Sequence, residues 1–206
     1  MTRSIVFVVD DDPSVLASLE SLLASEGHEV VLFDTPGAFL KAERPDVPAC
    51  LVLDVRLRGT SGLEFQRELR RSGITLPIVF ITGHGDVPMS VAAMKEGAIE
   101  FLLKPFRDQD LLDAVHAGIE KDRLARARNA QLCQLRARYA AMTPREREIL
   151  PLVASGLMNK QIATALQLSE VTVKVHRAQV MQKLQAKTLA DLVRIADRLA
   201  EDDTKA

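Results

Sequence analysis

Five side chains in this 206-residue sequence carry its most distinctive chemistry. Asp10 and Asp11 close the apolar run Ile5–Val9, and Asp54 closes Cys50–Leu53. Thr82 follows Ile78–Ile81, and Lys104 follows Glu100–Leu103. Carboxylates gathered without compensation repel one another until one takes up a proton. A hard, oxygen-seeking cation removes that conflict, and Mg²⁺ also keeps positions open for water and phosphate oxygens. A hydroxyl and an ammonium arriving at the same edge suit the gripping of phosphoryl oxygens. The chemistry implied is phosphoryl transfer at a carboxylate. Taken singly the residues say little: Asp12 reads equally well as a helix cap, Thr82 as a strand-end hydroxyl and Lys104 as a surface lysine.

These groups meet only if the elements before them lie side by side. The runs Ile5–Val9, Glu29–Phe33, Cys50–Leu53, Ile78–Ile81 and Glu100–Leu103 are short and mostly apolar throughout, as parallel strands covered on both faces require. Helical patterns separate them. Asp12-Pro13 and Thr35-Pro36 pair a capping side chain with proline at the first helical position, and Ser61 with Glu64 has capping-box spacing. Alternating strands and helices predict an α/β, doubly wound, flavodoxin-like parallel sheet of order 2-1-3-4-5. In such a sheet ligands bind at the carboxyl ends of the strands, where the five side chains fall.

From Asp108 the pattern is helical. Leu111, Leu112, Val115 and Ile119 form one stripe, and Leu132, Leu135, Tyr139 and Met142 another, with an Arg- and Ala-rich stretch between. This predicts a fifth helix running on into a helical linker; its heptads are too few and too broken to assert a coiled coil. Thr143-Pro144-Arg145-Glu146 then opens an all-helical block with helices near 143–155, 159–166, 170–184 and 188–199. Pro151 should bend the first of these. In the third, Val173, His176, Val180 and Leu184 make a core face, on which His176 is expected to be buried and satisfied. The opposite face carries Val171, Lys174, Val175 and Ala178, flanked by Thr172 and Arg177. Short apolar groups among basic ones suit a helix pressed into a DNA major groove, with Lys160 placed for a phosphate contact; a solvated charged face is the plainer alternative.

Composition agrees. The net charge of −1 hides a division: residues 1–122 hold 12 Lys/Arg and 20 Asp/Glu, whereas 123–206 hold 15 and 8. An acidic half suits cations and a basic half suits a polyanion. No apolar stretch reaches the ~18 residues of a membrane span, so a cytoplasmic protein with no membrane partner is expected. Cys50 and Cys133 are too few to suggest a metal or redox pair and read as small hydrophobes.

Val8-Val9-Asp10-Asp11-Asp12, Leu53-Asp54-Val55-Arg56, Ile81-Thr82-Gly83 and Lys104-Pro105-Phe106 resemble the receiver domains of two-component systems. The resemblance implies that a sensor histidine kinase phosphorylates Asp54, with Mg²⁺ held by Asp10, Asp11, Asp54 and the backbone carbonyl of Arg56. It further implies that Thr82 and Lys104 contact the phosphoryl oxygens, that the Lys104–Pro105 bond is cis, and that Phe101 is a switching aromatic working with Thr82. Read without it, Phe101 is an inward strand residue. Gly83 departs from the usual alanine. Leu157–Ala163 and Ser169–Arg177 are similar to the LuxR/FixJ-type helix-turn-helix, and Thr82–Met89 resembles the FixJ branch. Together these imply a receiver over 1–122, a helical linker over 123–142 and a DNA-binding domain over 143–200. The implied protein is a transcription factor rather than an enzyme, catalysing only its own phosphotransfer and dephosphorylation. It would dimerise on phosphorylation, bind double-stranded promoter DNA and act on RNA polymerase.

Three rival readings fit the residues less well. A flavin module wants a Ser/Thr/Gly-rich phosphate loop after the first strand, where this chain has three aspartates. A haloacid-dehalogenase-type phosphatase wants a second aspartate two residues after its nucleophile, where this chain has Arg56. Neither accounts for residues 143–199. A regulator that binds DNA without phosphate is disfavoured by the intact acidic set.

Overall fold

The computed structural model describes residues 3–85 and 87–203. Asp86, within the segment resembling the FixJ branch, lies outside the described residues. The chain forms two compact units, Met1–Ala127 and Arg128–Ala206.

In the first unit each β-branched run becomes a strand. They are β1 (Ile5–Val9), β2 (Glu29–Phe33), β3 (Ala49–Asp54), β6 (Ile78–Thr82) and β7 (Glu100–Leu103), with a short antiparallel pair, β4 (Arg56–Leu57) and β5 (Thr60–Ser61), between the third and fourth. All neighbours in the main sheet are parallel, in the order β2-β1-β3-β6-β7. With the small pair set aside this is the expected 2-1-3-4-5. β1, β3 and β6 are buried at every position, because helices cover both faces; the edge strands β2 and β7 are only partly covered.

Side chains alternate between two cores. Ile5, Phe7, Val9, Leu51 and Leu53 point to one face, where α2 (Pro36–Lys41) and α3 (Gly62–Arg71) contribute Phe39, Phe65 and Leu69. Val6, Val8, Cys50 and Val52 point to the other, met by Leu19 and Leu23 of α1 (Pro13–Ser25) and by Leu111 and Val115 of α5 (Asp108–Ala140). Each such fully buried side chain stabilises the fold by roughly 1.5–3 kcal/mol relative to exposure. Asp12 accepts a hydrogen bond from the Ser14 N–H at 2.8 Å and caps α1, so its helix-cap reading is the one realised. Ser61 and Glu64 form the capping box that starts α3. Cys50 is buried and its thiol is pushed up to about 12 by that burial, whereas Cys133 is exposed on α5.

The 33-residue α5 includes residues 123–140 of the segment expected to be a linker, and ends before its last two residues. The buried Asp122 on it accepts a hydrogen bond from the Ala49 N–H at 2.9 Å and pairs with Arg126 at 2.6 Å, which ties the helix to the start of β3.

The second unit contains α6 (Pro144–Ala154), α7 (Asn159–Leu166), α8 (Glu170–Lys183) and α9 (Leu189–Asp203). Ile149, Val153, Ile162, Val173, Val180 and Leu192 fill their shared core, joined by Leu135 and Met142. Thr143 and Glu146 form the expected capping box, and the buried Glu146 carboxylate also takes the Lys183 ammonium at 2.7 Å. α6 runs on through Pro151 to Ala154, with the proline ring on the exposed side where no packing opposes it.

Candidate functional site

Parallel register brings the acidic residues level. Val9 pairs with Leu53, Asp54 with Ile81 and Thr82 with Leu103, so the residues just past β1, at the end of β3 and just past β7 share one carboxyl edge. There the Lys104 ammonium bridges two carboxylates, 2.8 Å from Asp10 Oδ2 and 3.0 Å from Asp54 Oδ1. The other Asp54 oxygen accepts the Arg56 N–H at 2.6 Å, and Asp10 Oδ1 accepts the Asp12 N–H at 2.9 Å. Asp10 is 2% and Asp54 5% exposed. Burial pushes the Asp54 carboxyl above its ordinary value, more strongly than Lys104 draws it down, and the charge of Asp10 adds to the rise. Burial draws the Lys104 ammonium down, but its hydrogen bonds to Asp10 and Asp54 more than offset this and leave it raised.

Two expected members stand apart. Asp11 turns to the exposed Arg58, whose Nε lies 2.8 Å from its Oδ2. The Thr82 hydroxyl is fully buried and bonds within its own loop, donating to the His84 carbonyl at 3.2 Å and accepting the His84 N–H at 3.3 Å. The expected convergence of three carboxylates is therefore narrowed to two, since among the described residues no three His, Cys, Asp or Glu side chains close on a common point. The donor set still fits Mg²⁺. It is all oxygen, its two buried carboxylates share a single ammonium, and Mg²⁺ needs only one or two carboxylates beside water. Among the described residues Asp11 is held by one pair, with an 84%-exposed arginine, of a kind worth about 0–1 kcal/mol.

The surrounding backbone contributes what sequence reading missed. A β-carbon on Gly62 would stand 2.4 Å from the Asp54 carbonyl oxygen, so only glycine lets α3 begin directly against the end of β3. The β4–β5 hairpin, turned by Gly59 at φ +87°, makes that approach. Its signals were the Arg58-Gly59 turn and a glycine immediately after the capping Ser61. The Lys104–Pro105 bond is cis. Phe101 is half-buried, its ring 6.2 Å from that of Phe80. A β-carbon on Gly83 would meet nothing within 4 Å, so the departure from alanine costs no packing.

In the second unit α7 and α8 are joined by a tight turn in which Gln167 is left-handed (φ 55°), and Ser169 caps α8 by accepting the Thr172 N–H at 3.0 Å. Val173, Val180 and Leu184 are buried, while Val171 (73% exposed), Val175 (51% exposed), Lys174 and Ala178 face outward. Thr172 and Arg177 are half-buried; Arg177 donates to the Asn159 side chain at 3.2 Å and Thr172 contacts Ser169. Lys160 is exposed near the start of α7. His176 is only half-buried and its Nδ1 has no hydrogen-bond partner among the described residues, which corrects the satisfied core histidine. It lies toward the margin of the core stripe rather than at its centre.

The family model of the response regulator receiver domain matches residues 6–116, and that of the bacterial regulatory proteins of the luxR family matches residues 140–196. The chain belongs to the two-component response regulators. Among its relatives, nodulation protein W of Bradyrhizobium diazoefficiens is 53% identical over 198 residues, 96% of this chain and 87% of that protein. FixJ of Rhizobium meliloti is 44% identical over 197 residues, covering 95% and 96% of the two chains. The solved structure of response regulator StyR matches with a TM-score of 0.85 at 49% identity, covering 95% of this chain and 99% of that one. This response regulator thus joins a receiver to a LuxR-type DNA-binding domain, as two-component transcription regulators do. Among the described residues no helix is long and apolar enough to cross a membrane.

Proposed function

We propose that Asp54 is the phosphoacceptor of this regulator and that its phosphorylation drives dimerisation and promoter binding. The observation that carries the reading is the Lys104 ammonium spanning Asp10 and Asp54 at the carboxyl edge of the sheet. A carboxylate oxygen of Asp54 attacks the phosphorus of a kinase phosphohistidine. The N–P bond breaks as the O–P bond forms, and the histidine nitrogen takes a proton. Lys104, already against Asp54, follows the charge onto the phosphoryl oxygens. Asp10, Asp11, Asp54 and the Arg56 carbonyl would hold Mg²⁺, which supplies charge neutralisation at those oxygens when bound.

Thr82 now makes its bonds to His84. Exchanging them for a phosphoryl oxygen frees the loop after β6 and lets Phe101 turn inward. The face that responds is apolar: Val87, Val91 and Met94 recur on one side of α4 (Val87–Lys95), which packs on β7, and all three are exposed, as is Leu103. Covering such a patch with a second copy removes it from water and presents two α8 helices to paired half-sites. Val171, Lys174 and Val175 then meet base edges, Thr172 and Arg177 flank them, and Lys160 meets the backbone. The protein acts in the cytoplasm beside the chromosome, with a sensor histidine kinase upstream and RNA polymerase downstream. The test is to treat the chain with acetyl phosphate and Mg²⁺, trap the acyl phosphate by borohydride reduction and map the modified residue. Modification at 54, absent from Asp54→Asn, is expected; modification at Asp10 or Asp11 instead would overturn the assignment.

A further inference from the structure

At the opposite edge of the receiver sheet lies a cavity of about 420 Å³ that phosphorylation does not use. Its size is within the range of small-molecule sites, roughly 300–1,000 Å³. Leu69 of α3 and Ile74, Leu76 and Pro77 of the loop before β6 supply an apolar wall. Two cations stand over it: Arg70 from the last turn of α3 and Lys121 from α5. Both are exposed, and neither side chain has a hydrogen-bond or ion-pair partner among the described residues. The Arg70 guanidinium lies beside the left-handed Gly97 (φ +78°), where a β-carbon would stand 3.0 Å from Nη2.

We propose that this cavity binds a small organic monocarboxylate with an apolar chain or ring. The orientation follows from the polar groups. The nearby Asp122 is already engaged by the Ala49 N–H and Arg126, and Gln66, whose side chain also lines the wall, carries a buried carbonyl oxygen, Oε1, with no hydrogen-bond partner among the described residues. Oxygens of that kind repel an anion. The carboxylate therefore sits at the rim between Arg70 and Lys121, and the apolar body lies on Leu69 and Pro77. Such a ligand would clamp α3 to α5 a few residues before the receiver unit ends at Ala127. The site is independent of Asp54, so it stands or falls separately from the phosphoacceptor assignment.

The probe is octanoate, titrated into the full chain labelled with ¹⁵N. Amide shifts at 74–77, 97 and 121–125 are expected, unchanged in Asp54→Asn, with 1-octanol at least fivefold weaker. Arg70→Gln and Lys121→Gln should each weaken octanoate at least fivefold, while Lys41→Gln on α2 should not. Absence of binding, shifts centred elsewhere, or equal affinity in the Arg70→Gln/Lys121→Gln double variant would overturn the proposal.

Discussion

Gly85 lies so close to Phe101 that a β-carbon on it would stand 2.8 Å from the ring Cε1 and 2.7 Å from Leu103 Cδ2. The loop after β6 and the aromatic of β7 therefore share one space, and the half-buried position of the ring, packed against the core beside Phe80, depends on residue 85 having no side chain.

Gly85→Ala is expected to displace the Phe101 ring. Overpacking of this kind typically costs about 1–3 kcal/mol where neighbours cannot give. Here the ring can turn, so the variant should show raised dimer content and several-fold tighter DNA binding without any phosphoryl donor. Analytical ultracentrifugation of the untreated variant checks this; a monomer with unchanged affinity would mean that the ring is not coupled to the loop.

Removing the ammonium should expose the repulsion it masks. In Lys104→Met, Asp10 and Asp54 face each other without their shared cation, and a loss of about 1–3 kcal/mol is expected after discounting the 25% exposure of the lysine. Adding Asp54→Asn should return most of it. Urea melts at pH 7 in EDTA, arranged as a double-mutant cycle, measure the coupling; strictly additive effects would contradict the bridge.

Glu146 gives the second unit a pH dependence of known sign. Burial pushes its carboxyl up, but Lys183 and the Thr143 backbone N–H outweigh that and leave it depressed. A depressed carboxylate contributes stability that is complete above its unfolded value, about 4.3, and is lost as pH falls through the lower folded value. The second unit should therefore weaken below about pH 4, with a shallower acid limb in Glu146→Gln. Thermal melts from pH 7 to 3 test this, and parallel curves for the two proteins would refute it.

Lys160 and Val175 should separate by salt and by sequence. Lys160→Ala is expected to weaken binding uniformly and to lower the log–log salt slope by about 1, as loss of one phosphate contact does. Val175→Asp should abolish discrimination among operator sequences by carrying a charge into the face proposed to read bases. Fluorescence anisotropy at several salt concentrations distinguishes the two, and an unchanged slope in Lys160→Ala would remove it from the interface.

The sheet was legible because each strand is an apolar run with a polar stop, and the strand stops put Asp10, Asp54 and Lys104 at one edge. What those side chains then touch was not legible. Asp11 finds Arg58 through a hairpin of two-residue strands, too short for any periodicity, and Thr82 bonds to His84 by a loop conformation that no spacing encodes. Gly62 and Gly85 look like ordinary turn residues until the atoms facing them are known. His176 fell on a helical stripe by count, but a stripe does not say where its margin lies, and the ring sits half out of the core. Cys133 sits on a stretch of α5 exposed on most sides, where apolar character alone does not imply burial.

Sedimentation velocity of the wild-type chain and Asp54→Asn, each with Mg²⁺ and with or without acetyl phosphate, measures whether phosphorylation of Asp54 drives dimerisation. The wild type should pass from monomer to dimer only with the donor, and Asp54→Asn should remain monomeric in both. A wild type that stays monomeric with the donor, or an Asp54→Asn protein that dimerises with it, would contradict the assignment of Asp54 as the switch.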